Sequence, residues 1–303
     1  MSNPILAFSA RRRMRSVRTP VVFTLYALAL AVAAYALIYA PFLRPTARLG
    51  EMGQGMRGYA AMLSLQFGLL ILIAPAATAG AISGERERQT LDLLRVTNTG
   101  VGRLVLGKLM ESFGFLALLV LCSLPMLSLV LLTGAATFVQ VLWGIGFLLT
   151  AVMALLSIGI FCSALFRRTV TATVVSYLAV FGIGLATFLP LFWDVHRIDR
   201  LFQTLNIAGQ QLRELPYTPI SFILNPALGL FALLESQFQL FGDSLWSLST
   251  TLGNTIRLLP LGKCALGCML FMLGASAVFT GLAVLCMRTR GGKVPRAKKG
   301  KAN

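Results

Sequence analysis

Apolar residues in this chain come in long unbroken runs separated by short polar stretches. The pattern shows neither the alternation of a half-buried strand nor the one-sided stripe of a helix packed in water. Six runs stand out: Pro20 to Leu43, Gly58 to Ser83, Leu104 to Thr133, Val139 to Phe166, Val170 to Trp193 and Cys264 to Met287. Each exceeds the roughly 20 residues that a helix needs to cross about 30 Å of hydrocarbon. Barrel strands would be about ten residues long and would alternate in polarity. The pattern therefore predicts an all-α integral membrane fold of about six transmembrane helices, with a kink in the third at Pro125.

The polar stretches are patterned as well. Residues 1–19 contain Asn3-Pro4, a cap and first-turn pair. They place Leu6, Ala10, Met14 and Val17 on one helical face and Arg11, Arg12, Arg15 and Arg18 on much of the other. That predicts a basic amphipathic helix lying in the headgroup plane of anionic lipid. Residues 84–100 follow the second run. Glu85 with Arg88, and Arg88 with Asp92, stand three and four apart, a spacing that supports a solvated helix. Leu91 and Leu94 add an apolar ridge, and Gly84 and Gly100 punctuate the two ends.

The segment 194–263 holds a second Asn-Pro start at Asn225 and Pro226. Pro226 to Leu240 is expected to be re-entrant or interfacial. A seventh span there would carry the basic tail 288–303 to the opposite side from the other basic segments. The first run is too long for the apolar stretch of a cleaved signal peptide, so an uncleaved helix is expected.

Charged residues make up only 12% of the 303, about half the share usual in soluble domains. The net charge of +17 raises nucleic acid as a partner, but its distribution points elsewhere. Arginines and lysines concentrate at 11–18, 86–108, 167–168 and 288–301, all on one side of the membrane in the six-span arrangement. Positive segments stay on the cytoplasmic side during insertion. The asymmetry therefore predicts a multi-pass protein of the cell membrane with both termini cytoplasmic, and leaves no nucleic-acid module to build.

Reactive chemistry is sparse. His196 is the single histidine, so neither a hydrolytic triad nor a multi-histidine metal set can form. Cys122, Cys162, Cys264, Cys268 and Cys286 lie in or beside apolar runs and read as small filler. Gly102-Arg-Leu-Val-Leu-Gly107-Lys108-Leu109 matches a phosphate loop except at its last position, where the magnesium-ligating hydroxyl is missing, and no strand precedes it. No catalytic residue, metal or cofactor is expected in the chain. Ion-driven transport would place a charge near mid-membrane. None of the runs has a charge near its centre and Gln66 is the main polar side chain within them, so energy for any transport would come from a partner.

The stretch Ile82-Ser-Gly-Glu-Arg-Glu-Arg-Gln-Thr-Leu-Asp-Leu-Leu94, followed by Gly107-Lys108, resembles the ABC-2 type permease family, the membrane subunits of type V ABC exporters. Members show E-x-E-x-G-T-L in this inner loop. Here Gln89 stands where Gly is usual, and Asn98 where a Pro often follows Thr. The N-terminal Asn-Pro helix and the six-span layout are similar too. The resemblance implies that Glu85, Arg86, Glu87, Gln89, Thr90, Leu91 and Leu94 belong to a coupling helix that docks on a separate nucleotide-binding ATPase subunit. Residues 1–19 would be the connecting helix. A second permease copy, or a homologous permease, would face this one across a path lined by the second and fifth spans, with Ser64, Gln66, Thr78, Thr173, Ser176 and Tyr177 as lining candidates. The alternative from another class is a membrane scaffold that binds a cytoplasmic partner through the same loop without moving a substrate. A membrane enzyme ranks below both.

Topology is directly testable. Reporters placed after Asn303 and in the Arg86 loop should read cytoplasmic, and one near Gln210 external; an external C-terminus would require Pro226 to Leu240 to span.

Overall fold

The computed structural model describes residues 18–36, 52–89, 100–132, 134, 136–194, 196–197, 200, 219–238 and 261–291. The amphipathic helix expected before Arg18, the positions Thr90, Leu91 and Leu94, and the tail beyond Gly291 lie outside them. Every regular element among the described residues is helical. In order these are α1 (Arg18–Ala34), α2 (Met52–Glu87), α3 (Val101–Cys122), α4 (Leu124–Leu132), α5 (Phe138–Leu165), α6 (Thr169–Ala186), α7 (Ile220–Leu224), α8 (Pro226–Phe238) and α9 (Leu261–Gly291).

Five stretches are long and apolar enough to cross a membrane: Gly55–Glu87, Val101–Leu132, Phe138–Leu165, Thr169–Asp194 and Leu261–Thr289. The protein is thus a multi-pass, all-helical membrane protein. The first run is seen as the shorter apolar helix Pro20–Ala34, and its continuation from Leu37 to Leu43 falls outside the described residues.

The centre of the bundle is α5. Of its most apolar stretch 61% is buried, against 11% for that of α6. It packs on α2, α3, α6 and α9, with Phe147 against Phe67 of α2 and Phe161 against Phe279 of α9. Small residues let α2 approach closely. A Cβ at Gly144 would come within 2.5 Å of the Tyr59 hydroxyl, and one at Gly159 would overlap Thr78 Oγ1. Between membrane helices the hydrophobic effect offers little, so this kind of backbone approach supplies the packing.

At Gly84 the expectation changes: no helix starts there, because α2 continues through Gly84 to Glu87. A glycine within a helix keeps its backbone bonds, and the Thr169 methyl lies at ordinary contact distance, 3.4 Å from where a Cβ would be. The third run is interrupted at the single residue Ser123, itself in helical conformation and two positions before Pro125, which is the kink expected there. Pro125 lacks an N–H, so it is accommodated in the first turn of a new helix.

The helix anticipated from Pro226 is present. Asn225 breaks the chain between α7 and α8, and both pack against α9. At 1.5 Å per residue the 13 residues of α8 reach about 20 Å, short of a bilayer core.

The α2–α5 contact predicts an over-packing cost. Gly159→Ala should destabilise the detergent-solubilised protein by about 1–3 kcal/mol, and adding Thr78→Ala should recover part of the loss. A melting temperature unchanged by Gly159→Ala would mean that the two helices do not meet there.

Candidate functional site

The polar ends of the helices gather on two faces of the bundle. One, the basic face, carries Arg86, Arg88, Arg103, Lys108, Arg167, Arg168 and Arg288. The end of α2 forms its middle. There Glu85, Arg86 and Glu87 point to three different neighbours, because successive helical positions are about 100° apart.

Glu85 forms a 2.6 Å ion pair with Lys108 of α3, which also lies 3.6 Å from Glu111 one turn on. Residues 101–109, the near-match to a phosphate loop, are helical throughout, and Lys108 is engaged by these carboxylates. Arg86 donates to the Ala164 and Phe166 carbonyls at the end of α5, at 3.4 Å each. Glu87 accepts from the Thr169 backbone N–H and from its hydroxyl, both at 2.9 Å. Thr169 opens α6, and the residue before it, Arg168, makes no side-chain cap of its own. A cation therefore meets the carbonyl end of one helix and a carboxylate meets the amide end of the next, both complementing the helix dipoles. Between them, Ser163 Oγ accepts from the N–H groups of Ile82 and Ser83 at 3.0 Å.

The chain leaves α2 at Arg88 and Gln89. Gln89 has φ 57°, the left-handed region, and its N–H bonds the Arg86 carbonyl at 3.2 Å. Helices commonly end on such a residue, and glycine is the usual occupant because a Cβ is disfavoured there. Gln89 is the position at which the inner-loop motif named above has its glycine.

The path-lining candidates divide. Ser64 is exposed on α2, and Tyr177 donates to the Leu72 carbonyl at 2.6 Å across the α2–α6 groove. Thr173 is half-buried and bonds its own helix at Thr169 O. Gln66, Thr78 and Ser176 are fully buried. Thr78 bonds Ala74 O and Ser176 bonds Ala172 O, as hydroxyls do inside membrane helices. Gln66 donates to Ser123 Oγ at 2.8 Å, exactly where α3 breaks into α4, and the buried Tyr26 hydroxyl of α1 lies beside its amide. No residue of the six lines the apolar groove of about 200 Å³ between α4 and α5, which is walled by Leu124, Leu127, Leu131, Phe138 and Val141.

On the opposite face the polar centre is Asn225, only 1% exposed. Its amide donates to Gly184 O and Thr187 Oγ1, each at 3.0 Å, at the far end of α6. Its oxygen accepts from the Ala227 and Leu228 N–H groups that start α8. Asp194, also buried, accepts from Ser221 N at 2.8 Å. Thr137 and Gln140 cap α5 reciprocally. His196 is exposed, and no cluster of His, Cys, Asp and Glu among the described residues could hold a metal.

Sequence reasoning gave Glu85 to Glu87 a docking role and Asn225 a helix start. It did not name Thr169 and Lys108 as the partners of Glu87 and Glu85, Ser163 as the acceptor for Ile82 and Ser83, or Ser123 as the acceptor for Gln66. Those pairings join positions far apart in the chain, 82 residues for Glu87 and Thr169, and no local pattern announces them. Compared with models of protein families and with curated proteins, the chain matches none.

The left-handed Gln89 gives a test of this geometry. Gln89→Gly should raise the unfolding midpoint in detergent, by up to about 1 kcal/mol, and Gln89→Val should lower it. Equal midpoints for the two variants would mean that the helix does not end on a positive φ at 89.

Proposed function

We propose that this chain is the membrane permease subunit of an ABC transporter, an exporter by its resemblance, working with a separate ATPase subunit and a second permease. The observation that carries the reading is the end of α2. A membrane helix runs past its apolar stretch into Glu85-Arg86-Glu87 and turns over at a backbone that favours glycine, at the glycine position of the inner-loop motif.

The basic face is then cytoplasmic, and Leu91 and Leu94 belong, by the resemblance, to the segment that docks on the ATPase. In this reading Glu85, Glu87 and Leu91 form the grip on the ATPase; within the chain Arg86 and Glu87 also hold neighbouring helices, and Glu85 holds Lys108. The transport path is placed between two copies: Ser64 and Tyr177 sit on the outward side of α2 and α6, while Gln66, Thr78 and Ser176 serve packing within one copy. Six spans and cytoplasmic termini complete the arrangement.

The protein purified in mild detergent should bring an ATPase with it, and Leu91→Asp should abolish that copurification while leaving membrane insertion unchanged. A few central residues usually carry most of such an interface, so a loss of tenfold or more is expected. Retention of the ATPase by Leu91→Asp would remove the docking role. A partner that binds normally but shows no substrate-stimulated ATP hydrolysis would favour the scaffold instead.

A further inference from the structure

The helix α1 is held to the bundle along one narrow stripe. Among its described residues Tyr26, Leu30 and Ala34, one turn apart, are the buried ones, and Phe23 sits edge-on against Phe115 of α3. Tyr26 is the polar member of that stripe and is 3% exposed. Its hydroxyl lies beside the amide of Gln66. Leu63 and Leu70, one turn to either side of Gln66 on α2, are fully buried as well, so the cluster has no access to bulk water.

The hydrogen bonds of this cluster leave two groups over. Gln66 Nε2 donates to Ser123 Oγ at 2.8 Å, and Ser123 Oγ donates in turn to Val120 O at 2.6 Å. The amide nitrogen and the serine hydroxyl are thereby satisfied where α3 gives way to α4. Among the described residues, neither Gln66 Oε1 nor the Tyr26 hydroxyl has a hydrogen-bond partner. One of these groups accepts and the other donates, and they are neighbours without the geometry of a direct bond. Left alone, each would bear the full cost of its desolvation. A water between them would accept the Tyr26 O–H and donate to Gln66 Oε1, and buried waters sit at such points, on about two to four polar partners.

We propose that Tyr26 and Gln66 bind one ordered water, which completes a polar chain from α1 through Gln66 to the interruption at Ser123. α1 is then tied to the point at which the third apolar run changes helix. Apolar contact alone fixes the register of a membrane helix weakly, because lipid and protein offer it similar surroundings. A fully satisfied set of donors and acceptors selects one arrangement. The site lies away from the basic face and involves no partner subunit, so it stands independently of the permease reading. Tyr26 and Gln66 act in it as positioning residues.

Two measurements on the full chain test the site. In detergent, Tyr26→Phe keeps the ring and loses only the hydroxyl; it should raise the unfolding equilibrium constant about two- to tenfold, the range of one net hydrogen bond. Gln66→Met should also destabilise, and the double variant should lose less than the two single variants combined, because both remove the same bridge. A hydroxyl without a partner gives the opposite sign: Tyr26→Phe would then remove a buried orphan group and stabilise the protein, which would overturn the site. Infrared difference spectra of hydrated membranes, wild type minus Tyr26→Phe, identify the bridging molecule. An O–H stretching band of the wild type should shift when heavy-oxygen water replaces ordinary water, and should be missing from Gln66→Met too. Destabilisation with coupling but without an isotope-sensitive band would mean that Tyr26 bonds Gln66 directly, and the water would be withdrawn. If Gln66→Met fails to fold, the sign of the Tyr26→Phe effect and its infrared difference still decide.

Discussion

The structure depends on how helix ends are satisfied where water is scarce. Every helix leaves amide groups at its start and carbonyls at its end without partners of its own. In a soluble protein water takes them up, and near hydrocarbon each unsatisfied group costs several kcal/mol. This protein answers with side chains sent from other helices. Arg86 goes to the carbonyl end of α5 and Glu87 to the amide end of α6. Asn225 serves the end of α6 and the start of α8 together, and Asp194 serves the start of α7. These bonds place the ends, and the apolar faces between them then decide only how closely the helices approach.

That division explains why α5 and α6 can be so different. α5 is wedged among four neighbours by contacts at Gly144, Gly159 and two aromatic pairs, so its position is determined along its whole length. α6 lies nearer the outside: it packs on α2 and α5 through Ala172, Ser176 and Val180 and bonds Leu72 O through Tyr177, and side chains from other elements hold both of its ends.

Much of the architecture was legible in the chain. The run of Val139 to Phe166 becomes α5 within one residue at each end, because hydrophobicity and helix length are both local properties. The Asn-Pro pair at 225–226 was legible for the same reason. The end of α2 was not: Gly84 looks like punctuation in sequence, yet the helix runs through it to Glu87. The disturbance near Pro125 was legible, since a proline lacks the N–H that a continuous helix needs, and it falls at Ser123. Gln89 is the intermediate case. Its mismatch with the motif was visible, but the left-handed backbone that gives the mismatch a meaning was not.

The long reach of the Glu87–Thr169 contact bears on how the protein is made. Ribosomes add about 5 to 20 residues per second, so the 82 positions separating the two correspond to roughly 4 to 16 seconds of synthesis. For that interval the amide-seeking carboxylate at the end of α2 waits for a helix that has yet to emerge. Gln66 and Ser123, 57 positions apart, meet sooner. The order of synthesis therefore makes the α2–α3 pair available first, α5 next and Thr169 last among these.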